Sequence, residues 1–459
     1  MPHSRRQFVK NAAYLGLGFS GLRIYACGGS RPAVTPMNAA APVGYGSLTR
    51  DRLGMLDLPE GFTYRIISRE GETMADGLRV PGLADGMGTF EAPDGRVIIV
   101  RNHEVAPTQT NHGAFAEGAV AQTGIDPADF FDYGSGKLPA LGGTSTIVYD
   151  ETAGRVDRQF MSLLGTTRNC AGGVMPWGSW LTCEEDVTLK GSHSGTAEKT
   201  HGFVFEVPAT VEPSRARPLP IEAMGRFNHE AVACDPGTGI VYLTEDRDDG
   251  LLYRFIPNRQ GALHEGGRLQ ALVVVDHHAL DTRNWPENPG PGASMDTRYD
   301  VTWVDINNVL SPRDDLRYQG ASRGAAVFAR GEGMWYGEGV IYFACTSGGR
   351  TKTGQLFKLT PATDGGVLEL FIEPNNSDIM KSCDNLTISP SGEVMVCEDD
   401  LDPYIRGVTP DGQIYTFAHN VGHRSEFAGI CFSPSGRTMF VNIQVPGLTL
   451  AVTGPFNHL

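Results

Sequence analysis

The sequence predicts an all-β protein, a six-bladed β-propeller with long loop insertions. One sequence pattern occurs six times, and the 459 residues include 58 glycines and 29 prolines, as is typical of turn-rich β proteins. Each copy has a polar first residue, a short apolar stretch, a Gly-containing turn and an apolar strand with polar residues at its end. The copies begin at Asp85, Cys170, Glu230, Glu332, Asp384 and Glu426. Such units bury their faces only by stacking on their neighbours, so the repeats predict a closed ring.

Residues 1–30 are predicted to be a twin-arginine signal peptide. The pair Arg5 and Arg6 precedes an apolar run over residues 12–22, which is too short for a permanent membrane anchor. The sequence therefore predicts export by the twin-arginine machinery to the periplasm or the medium, with no transmembrane anchor in the mature form. Lipoprotein anchoring at Cys27 is an alternative.

Residues 31–49 are rich in Pro, Ala and Gly and predict a linker, followed by one propeller domain over residues 50–459. An early strand over residues 62–67 is expected to complete the last blade and close the ring. The segment 276–312, rich in His, Asn, Pro and Asp, predicts an excursion that forms a rim or lid. Long insertions are expected at 105–140, 186–200 and 257–325.

The net charge of −15 argues against nucleic acid or an anionic membrane as the main partner. We expect a monomer that acts on small molecules. If the substrate is an anion, an acidic protein must supply local positive charge from metal ions or a few arginines.

A closed ring would place the first residues of the six repeats around a common axis. Five carboxylates and the thiol of Cys170 would repel one another there unless cations were bound. A second oxygen-rich set follows the inner strands, in segments such as 102–104, 184–186 and 398–400. The candidate metal ligands are Asp85, Cys170, Glu184, Glu230, Glu332, Asp384, Glu398 and Glu426. Carboxylate oxygens suit calcium, whereas the thiol suits iron or zinc.

Cys170 differs from the other cysteines because it replaces a carboxylate at the start of a repeat. The chain has eight cysteines, and without Cys27 an odd number remains, so they cannot all form disulfides. Four lie inside apolar strands and are predicted to be small buried residues. These four are Cys234, Cys345, Cys397 and Cys431.

Arg330 precedes Glu332 by two residues, so in an extended segment both side chains would face the axis. Its guanidinium could bind a phosphate through two hydrogen bonds. Alternatively, Arg330 neutralises the acidic ring and has a structural role. Arg168 and Arg247 are further candidates of the same kind.

Over nearly the whole chain, the sequence resembles the PhoX-type alkaline phosphatases. The motifs that carry the resemblance include RNHE (101–104), RNCAGG (168–173), TCEED (182–186), NHEA (228–231), TEDR (244–247), RGEG (330–333), CDNL (383–386), CEDD (397–400) and EFAGICFSPSG (426–436). The resemblance implies a six-bladed propeller with Fe³⁺ and Ca²⁺ at its axis that cleaves phosphate monoesters outside the cytoplasm.

The same resemblance implies roles for individual residues. It implies that Cys170 bridges two ferric ions and that Glu230, Glu332 and Asp384 are ligands of the cluster. Arg330 is implied to bind the substrate phosphate. Cys170 and Arg330 are accordingly the predicted catalytic residues.

Three other functions fit a propeller with an acidic axis. A propeller lactonase or a calcium-dependent, phytase-like enzyme is the enzymatic alternative, but neither requires a thiol at the centre. A non-catalytic binding propeller stabilised by calcium is the third. Bound iron would distinguish the phosphatase from all three.

Overall fold

The structure, a computed structural model, describes residues 43–115, 123–288 and 290–456. The predicted signal peptide, Cys27 and the linker up to residue 42 lie outside the described residues. No helix in the described part of the chain is long and apolar enough to cross a membrane.

The described residues form twenty-six strands and only two short α-helices. The strands are β1 Leu48–Thr49, β2 Leu56–Pro59, β3 Thr63–Arg69, β4 Ala84–Glu91, β5 Val97–His103, β6 Gly142–Asp150, β7 Arg155–Thr166, β8 Asn169–Met175, β9 Ser179–Glu184, β10 Val204–Pro208, β11 His229–Cys234, β12 Val241–Glu245, β13 Leu252–Pro257, β14 Gly267–Val274, β15 Arg298–Asp305, β16 Gly331–Gly337, β17 Val340–Cys345, β18 Gln355–Pro361, β19 Gly366–Ile372, β20 Cys383–Ile388, β21 Val394–Glu398, β22 Tyr404–Val408, β23 Ile414–Asn420, β24 Phe427–Phe432, β25 Thr438–Ile443 and β26 Leu448–Thr453. The helices are α1 Ser192–Gly195 and α2 Leu316–Ala321, and single turns of 3-10 helix are Thr110–His112, Pro127–Asp129, Gly134–Gly136, Glu222–Met224 and Leu263–Glu265.

The strands form five antiparallel sheets arranged as a propeller. Their orders are β4-β5-β6-β7, β8-β9-β10, β24-β25-β26-β3, β1-β2-β23-β22-β21-β20 and the nine-stranded β11-β12-β13-β14-β15-β19-β18-β17-β16. The nine-stranded sheet contains two units that meet through β15 and β19. The innermost strands β4, β8, β11, β16, β20 and β24 contact one another in this order, and β24 contacts β4. The predicted all-β propeller is confirmed, and its six inner strands form a closed ring.

The N-terminal part of the described chain closes this ring. Strand β3 pairs with β26, with Ile66 opposite Leu450, which confirms the strand predicted over residues 62–67. Strand β1 pairs with β2, and the ring of Tyr45 packs edge-on against Phe62 and Phe417. The packed structure therefore includes the last residues of the predicted linker.

The predicted rim or lid over residues 276–312 is partly wrong. Strand β15 lies inside this segment and pairs with both β14 and β19, which joins two units into one sheet. The side chains of β15 alternate between exposed and buried, as expected for a strand with one packed face. Trp303 on the packed face is 8% exposed, and the guanidinium of Arg254 lies 4.5 Å from the centre of its ring.

Each inner strand carries a β-bulge near its start. Between two paired positions, the inner strand moves on by three residues while its partner strand moves on by two. In β8, for example, Asn169 and Gly172 lie opposite Glu184 and Thr182. The equivalent shifts are Ala84/Met87, His229/Val232, Gly331/Met334, Cys383/Leu386 and Ala428/Cys431. Because a bulge re-aims a side chain, it directs residues toward the axis that regular alternation would place elsewhere.

Gly86 and Gly333 lie within their bulges, where neighbouring inner strands come close together. A Cβ atom on Gly86 would lie 2.6 Å from the Cα of Ala171, and one on Gly333 would lie 2.7 Å from the Cα of Asn385. These distances are too short for any larger side chain. Glycine at these two positions thus permits the close approach of neighbouring units.

Candidate metal centre

The bulges bring one residue from each unit to one place at the axis. We call these the bulge positions, and they are Asp85, Cys170, Glu230, Glu332, Asp384 and Ala428. The first four are at most 6% exposed. In the sixth unit Phe427 pairs with Ile443 as Cys383 pairs with Glu398, so Ala428 takes the place of an acid.

A second layer comes from the residues that directly follow the second strand of each unit. These strand-end positions are Glu104, Glu185, Asp246, Thr346, Asp399 and Gln444. In every unit the backbone N–H of the strand-end residue donates to the carbonyl of a residue that precedes the bulge, at 2.9–3.3 Å. These acceptors define the rim positions, which are Leu83, Arg168, Asn228, Arg330, Ser382 and Glu426.

This repeated hydrogen bond corrects the predicted alignment of the last repeat. Glu426 accepts from the N–H of Gln444, as Arg330 accepts from Thr346. Glu426 is therefore equivalent to Arg330 and not to Glu332, a shift of two residues. It still lines the central cavity, but from the rim.

The three layers enclose a cavity of about 160 Å³. It is lined by Asp85, Glu104, Arg168, Cys170, Glu185, Glu230, Asp246, Arg330, Glu332, Asp384, Asp399, Glu426 and Gln444. Nine of these residues are carboxylates, and only two carry positive charge. Such a concentration of buried acid is costly unless the acids stay protonated or cations neutralise them.

The pKa values of the cavity acids reflect this cost. Burial first, and then the charges of neighbouring carboxylates, raise the pKa of Glu230 and Asp384 well above the usual range. The same causes raise the pKa of Glu426 to about 11. Burial and then Glu230 raise the pKa of the Cys170 thiol. The pKa is likewise raised by burial and neighbouring acids for Asp85, Glu185 and Glu332.

The donor set fits metal ions. One ligand atom each from Cys170, Glu185 and Glu230 lie within 4.8 Å of one another, and the same holds for Glu230, Glu332 and Asp384. The two groups share Glu230, so they describe two adjacent positions. The Oδ1 atom of Asp85 is buried without a hydrogen-bond partner among the described residues. A buried oxygen without a partner, beside acids and a thiol, is a suitable ligand for a cation.

Arg330 reaches the cavity, although its backbone is not extended. Its φ of 50° places it in the left-handed region, just before β16. Its Nε and Nη2 atoms donate to the two carboxylate oxygens of Asp246 at 2.8 and 2.9 Å, and Nη2 also donates to Glu332 at 2.9 Å. The guanidinium is thus held in a fixed orientation at the edge of the cavity.

The structure does not bring two of the predicted ligands, Glu184 and Glu398, into the cavity. Glu184 is buried, with its oxygens accepting from His201 at 2.7 Å and from the backbone N–H groups of Thr167, Gly202 and Phe203. Glu398 is also buried and accepts from Arg406 and from the N–H groups of Lys381 and Tyr404. Each is the last residue of its strand and points away from the axis.

The residues that face the cavity instead are their direct successors, Glu185 and Asp399. Glu104, Asp246 and Gln444 occupy the same layer. The acidic segments after the inner strands had indicated this layer, but side-chain direction alternates along a strand. A difference of one residue therefore decides which acid faces the axis.

All seven cysteines in the described residues are free and buried. Cys170 therefore forms no disulfide. The prediction that the four strand cysteines, Cys234, Cys345, Cys397 and Cys431, are buried is confirmed.

Comparisons with known proteins identify a family and a fold. The family described as alkaline phosphatase PhoX matches residues 43–148 and 149–447. The solved structure of Pseudomonas fluorescens PhoX in complex with vanadate, a transition state analogue, shares 18% identity over 87% of this chain and 96% of that chain, with a TM-score of 0.65. No curated protein matches the chain.

Two further solved structures are more distant. A gluconolactonase from Xanthomonas campestris shares 10% identity over 91% of this chain and 99% of that chain, with a TM-score of 0.37. A protein of unknown function from Bacteroides thetaiotaomicron shares 10% identity over 85% and 76%, with a TM-score of 0.43. At these TM-scores neither match supports an inference.

The Pseudomonas structure supports the propeller fold, and the family match extends over nearly all the described residues. The resemblance seen in the sequence motifs is thereby confirmed: the chain belongs to the alkaline phosphatase PhoX family and is a phosphatase.

Proposed function

We propose that this phosphatase hydrolyses phosphate monoesters with iron and calcium ions held in the axial cavity. The observation that supports the metal ions is the convergence of nine carboxylates and one thiol on a cavity of about 160 Å³. Without cations this arrangement would repel a phosphate as well as itself.

The chemistry of the donors suggests how the ions are distributed. Cys170, Glu185 and Glu230 would hold iron, because a thiolate prefers a transition metal to calcium. Glu332 and Asp384 would complete an adjacent position that shares Glu230. The remaining oxygens, including that of Asp85, suit calcium, which takes six to eight oxygen ligands.

When bound, these ions supply Lewis acidity and neutralise the charge of the carboxylates. The protein itself contributes orientation. Arg330, fixed by Asp246 and Glu332, would bind oxygens of the phosphoryl group and align it with the cavity. The buried walls exclude bulk water and so strengthen these charged interactions.

Replacement of Cys170 by Ser tests the metal assignment. We expect Cys170→Ser to lose most of its iron and nearly all hydrolysis of p-nitrophenyl phosphate, while circular dichroism still shows a folded β protein. Cys234→Ser is the matched control, since Cys234 is also buried but lies in β11, outside the cavity. Metal content is measured by elemental analysis of the purified proteins.

Normal iron content in Cys170→Ser would contradict the assignment. An unaltered protein that contains calcium alone and hydrolyses no phosphate monoester would contradict the proposed function and favour a binding propeller.

We further propose that the protein is a monomer that acts outside the cytoplasm. The paired arginines Arg5 and Arg6 support export, and light scattering of the purified protein tests its mass. Changing both arginines to Lys should retain the protein in the cytoplasm of the expressing bacterium, as measured by cell fractionation. An unchanged distribution would contradict export by the twin-arginine route.

A further inference from the structure

Arg168 occupies the same rim position as Arg330, two units away around the axis. Both precede their bulge residue by two positions and accept a hydrogen bond from the strand-end N–H of their unit. Their φ angles are 43° and 50°, and their side chains are 38% and 37% exposed. Both line the central cavity. The repeat thus places two guanidinium groups in equivalent settings at the edge of one cavity.

Acidic strand-end residues hold both guanidinium groups in the same way. Nε and Nη2 of Arg168 donate to Oε1 of Glu104 at 3.1 and 2.6 Å, and Nη2 also donates to Glu185 at 2.5 Å. In Arg330 the same two nitrogens bind Asp246. Among the described residues neither Nη1 atom has a hydrogen-bond partner. Each arginine therefore keeps donors available for an anion.

A continuous set of contacts connects the two arginines through the unit between them. Nδ2 of Asn228 donates to Oε1 of Glu185 at 2.9 Å and to the carbonyl of Asp246 at 3.2 Å. The order around the rim is therefore Arg168, Glu185, Asn228, Asp246 and Arg330. Because each member is fixed by its neighbours, the two guanidinium groups keep their relative positions before any substrate arrives.

We propose that Arg168 is a second phosphate-binding residue, which acts with Arg330 as a clamp for the dianionic phosphoryl group of a monoester. The inference rests on the proposed function. Both arginines line the cavity that contains the candidate metal ligands, so a phosphoryl group that enters it meets both guanidinium groups. Recognition then depends on the phosphoryl oxygens, which match the planar fork of arginine.

The clamp has a consequence for specificity. A monoester presents three non-bridging oxygens and up to two negative charges, whereas a diester presents two oxygens and one charge. Two arginines at separate points of the rim favour the monoester, because the diester offers fewer oxygens and less charge. Loss of Arg168 should therefore reduce the preference for monoesters as well as the affinity for phosphate.

The test compares Arg168→Gln and Arg168→Lys with Arg330→Gln and the unaltered protein. Arg424→Gln is the matched control, since Arg424 is an exposed arginine near the sixth unit's rim that does not line the cavity. Five quantities are measured: metal content, the inhibition constant of inorganic phosphate, kcat and KM for p-nitrophenyl phosphate, and the ratio of kcat/KM for this ester to that for bis(p-nitrophenyl) phosphate.

For Arg168→Gln we expect unchanged metal content, an inhibition constant for phosphate raised about 10- to 100-fold and a similar rise in KM, as for the loss of a charged hydrogen bond. The preference for the monoester should fall in parallel. Arg168→Lys keeps the charge and should recover part of the affinity, and Arg424→Gln should stay within about twofold of the unaltered protein.

An unchanged inhibition constant in Arg168→Gln with full metal content would overturn the inference. Loss of metal from both Arg168 variants would also overturn it, because Arg168 would then be a brace for Glu104 and Glu185. If the unaltered protein hydrolysed no phosphate monoester, the proposed function would fail first and this inference with it. If the unaltered protein is active and Arg168→Gln has the same inhibition constant for phosphate, only the clamp is contradicted and the proposed function stands.

Discussion

His201 lies between two buried carboxylates just outside the axial cavity. Its Nδ1 atom is 2.7 Å from Oε1 of Glu184, and its Nε2 atom is 3.2 Å from Oδ2 of Asp132. Burial alone would lower the pKa of the imidazole, but the charges and hydrogen bonds of Glu184 and Asp132 raise it to about 10. The histidine is therefore charged at neutral pH and joins the insertion that contains Asp132 to the end of β9.

Because of this histidine, the free energy of unfolding should depend on pH in the alkaline range. In the unfolded chain its pKa is about 6.5, so the folded state binds the proton more tightly. The stabilisation is complete below about pH 6.5 and is lost as the pH rises toward 10. We expect the free energy of unfolding to decline over this range by an amount on the order of a few kcal/mol.

The measurement is urea unfolding at several pH values, for the unaltered protein and for His201→Gln. The variant should be less stable at pH 7 and should show a flatter dependence between pH 7 and 10. Parallel pH profiles for the two proteins would show that His201 is neutral in the folded state.

Single residues also show how far the sequence predicts the site. Cys170 stood out because its repeat position otherwise contains carboxylates, and that reasoning needed only the alignment of the repeats. The sequence does not show where a strand ends, so it does not distinguish Glu184 from Glu185 or Glu398 from Asp399 as the residue that faces the axis. Only the hydrogen bonds of Glu184 to His201 and to backbone N–H groups reveal that it faces away from the axis.

At the scale of elements, the β-bulge decides which residue faces the axis. The sequence shows the repeated polar residue but not the extra strand residue that re-aims its side chain. In the last repeat the acid precedes the bulge position by two residues, so the sequence pattern aligns Glu426 with Glu332, whereas the structure aligns it with Arg330. The two alignments differ by two residues, and the sequence does not show where the bulge begins, so it does not distinguish them.

Two other elements illustrate the same limit. Strand β3 was predictable because residues 62–67 alternate and a ring of repeats requires a closing strand. Strand β15 was missed because Pro, Gly and Asn residues surround it, and such residues are typical of loops. Its pairing with β14 and β19 depends on partners that are distant in the sequence, and local pattern does not indicate them.

At the scale of the whole molecule, side chains from all six units line the axial cavity. Its lining extends from Asp85 in the first unit to Gln444 in the last. Bound cations would therefore connect units that otherwise touch mainly through their inner strands and the apolar contacts between sheets. Folding must bring nine carboxylates together, and cations that bind only this folded arrangement shift the equilibrium toward it.

Removal of the metal ions should therefore destabilise the whole propeller and not only its active site. An ion that is present at one hundred times the Kd of its site adds about 2.7 kcal/mol to the free energy of unfolding. For a domain of this size that corresponds to roughly 3 °C in Tm for each such site. We expect exhaustive treatment with EDTA to abolish activity and to lower Tm by several such increments at a fixed heating rate. Added calcium and iron should restore both.

The Asp384→Asn variant serves as the comparison, because it removes one cavity carboxylate while leaving the surface unchanged. Its Tm should respond less to EDTA than that of the unaltered protein, since fewer ions are bound to be removed. If the melting curve of the unaltered protein were the same before and after complete chelation, the acidic axis would be stable without ions. The nine carboxylates would then have to share protons, and the repulsion between them could no longer be the reason for a metal centre at the axis.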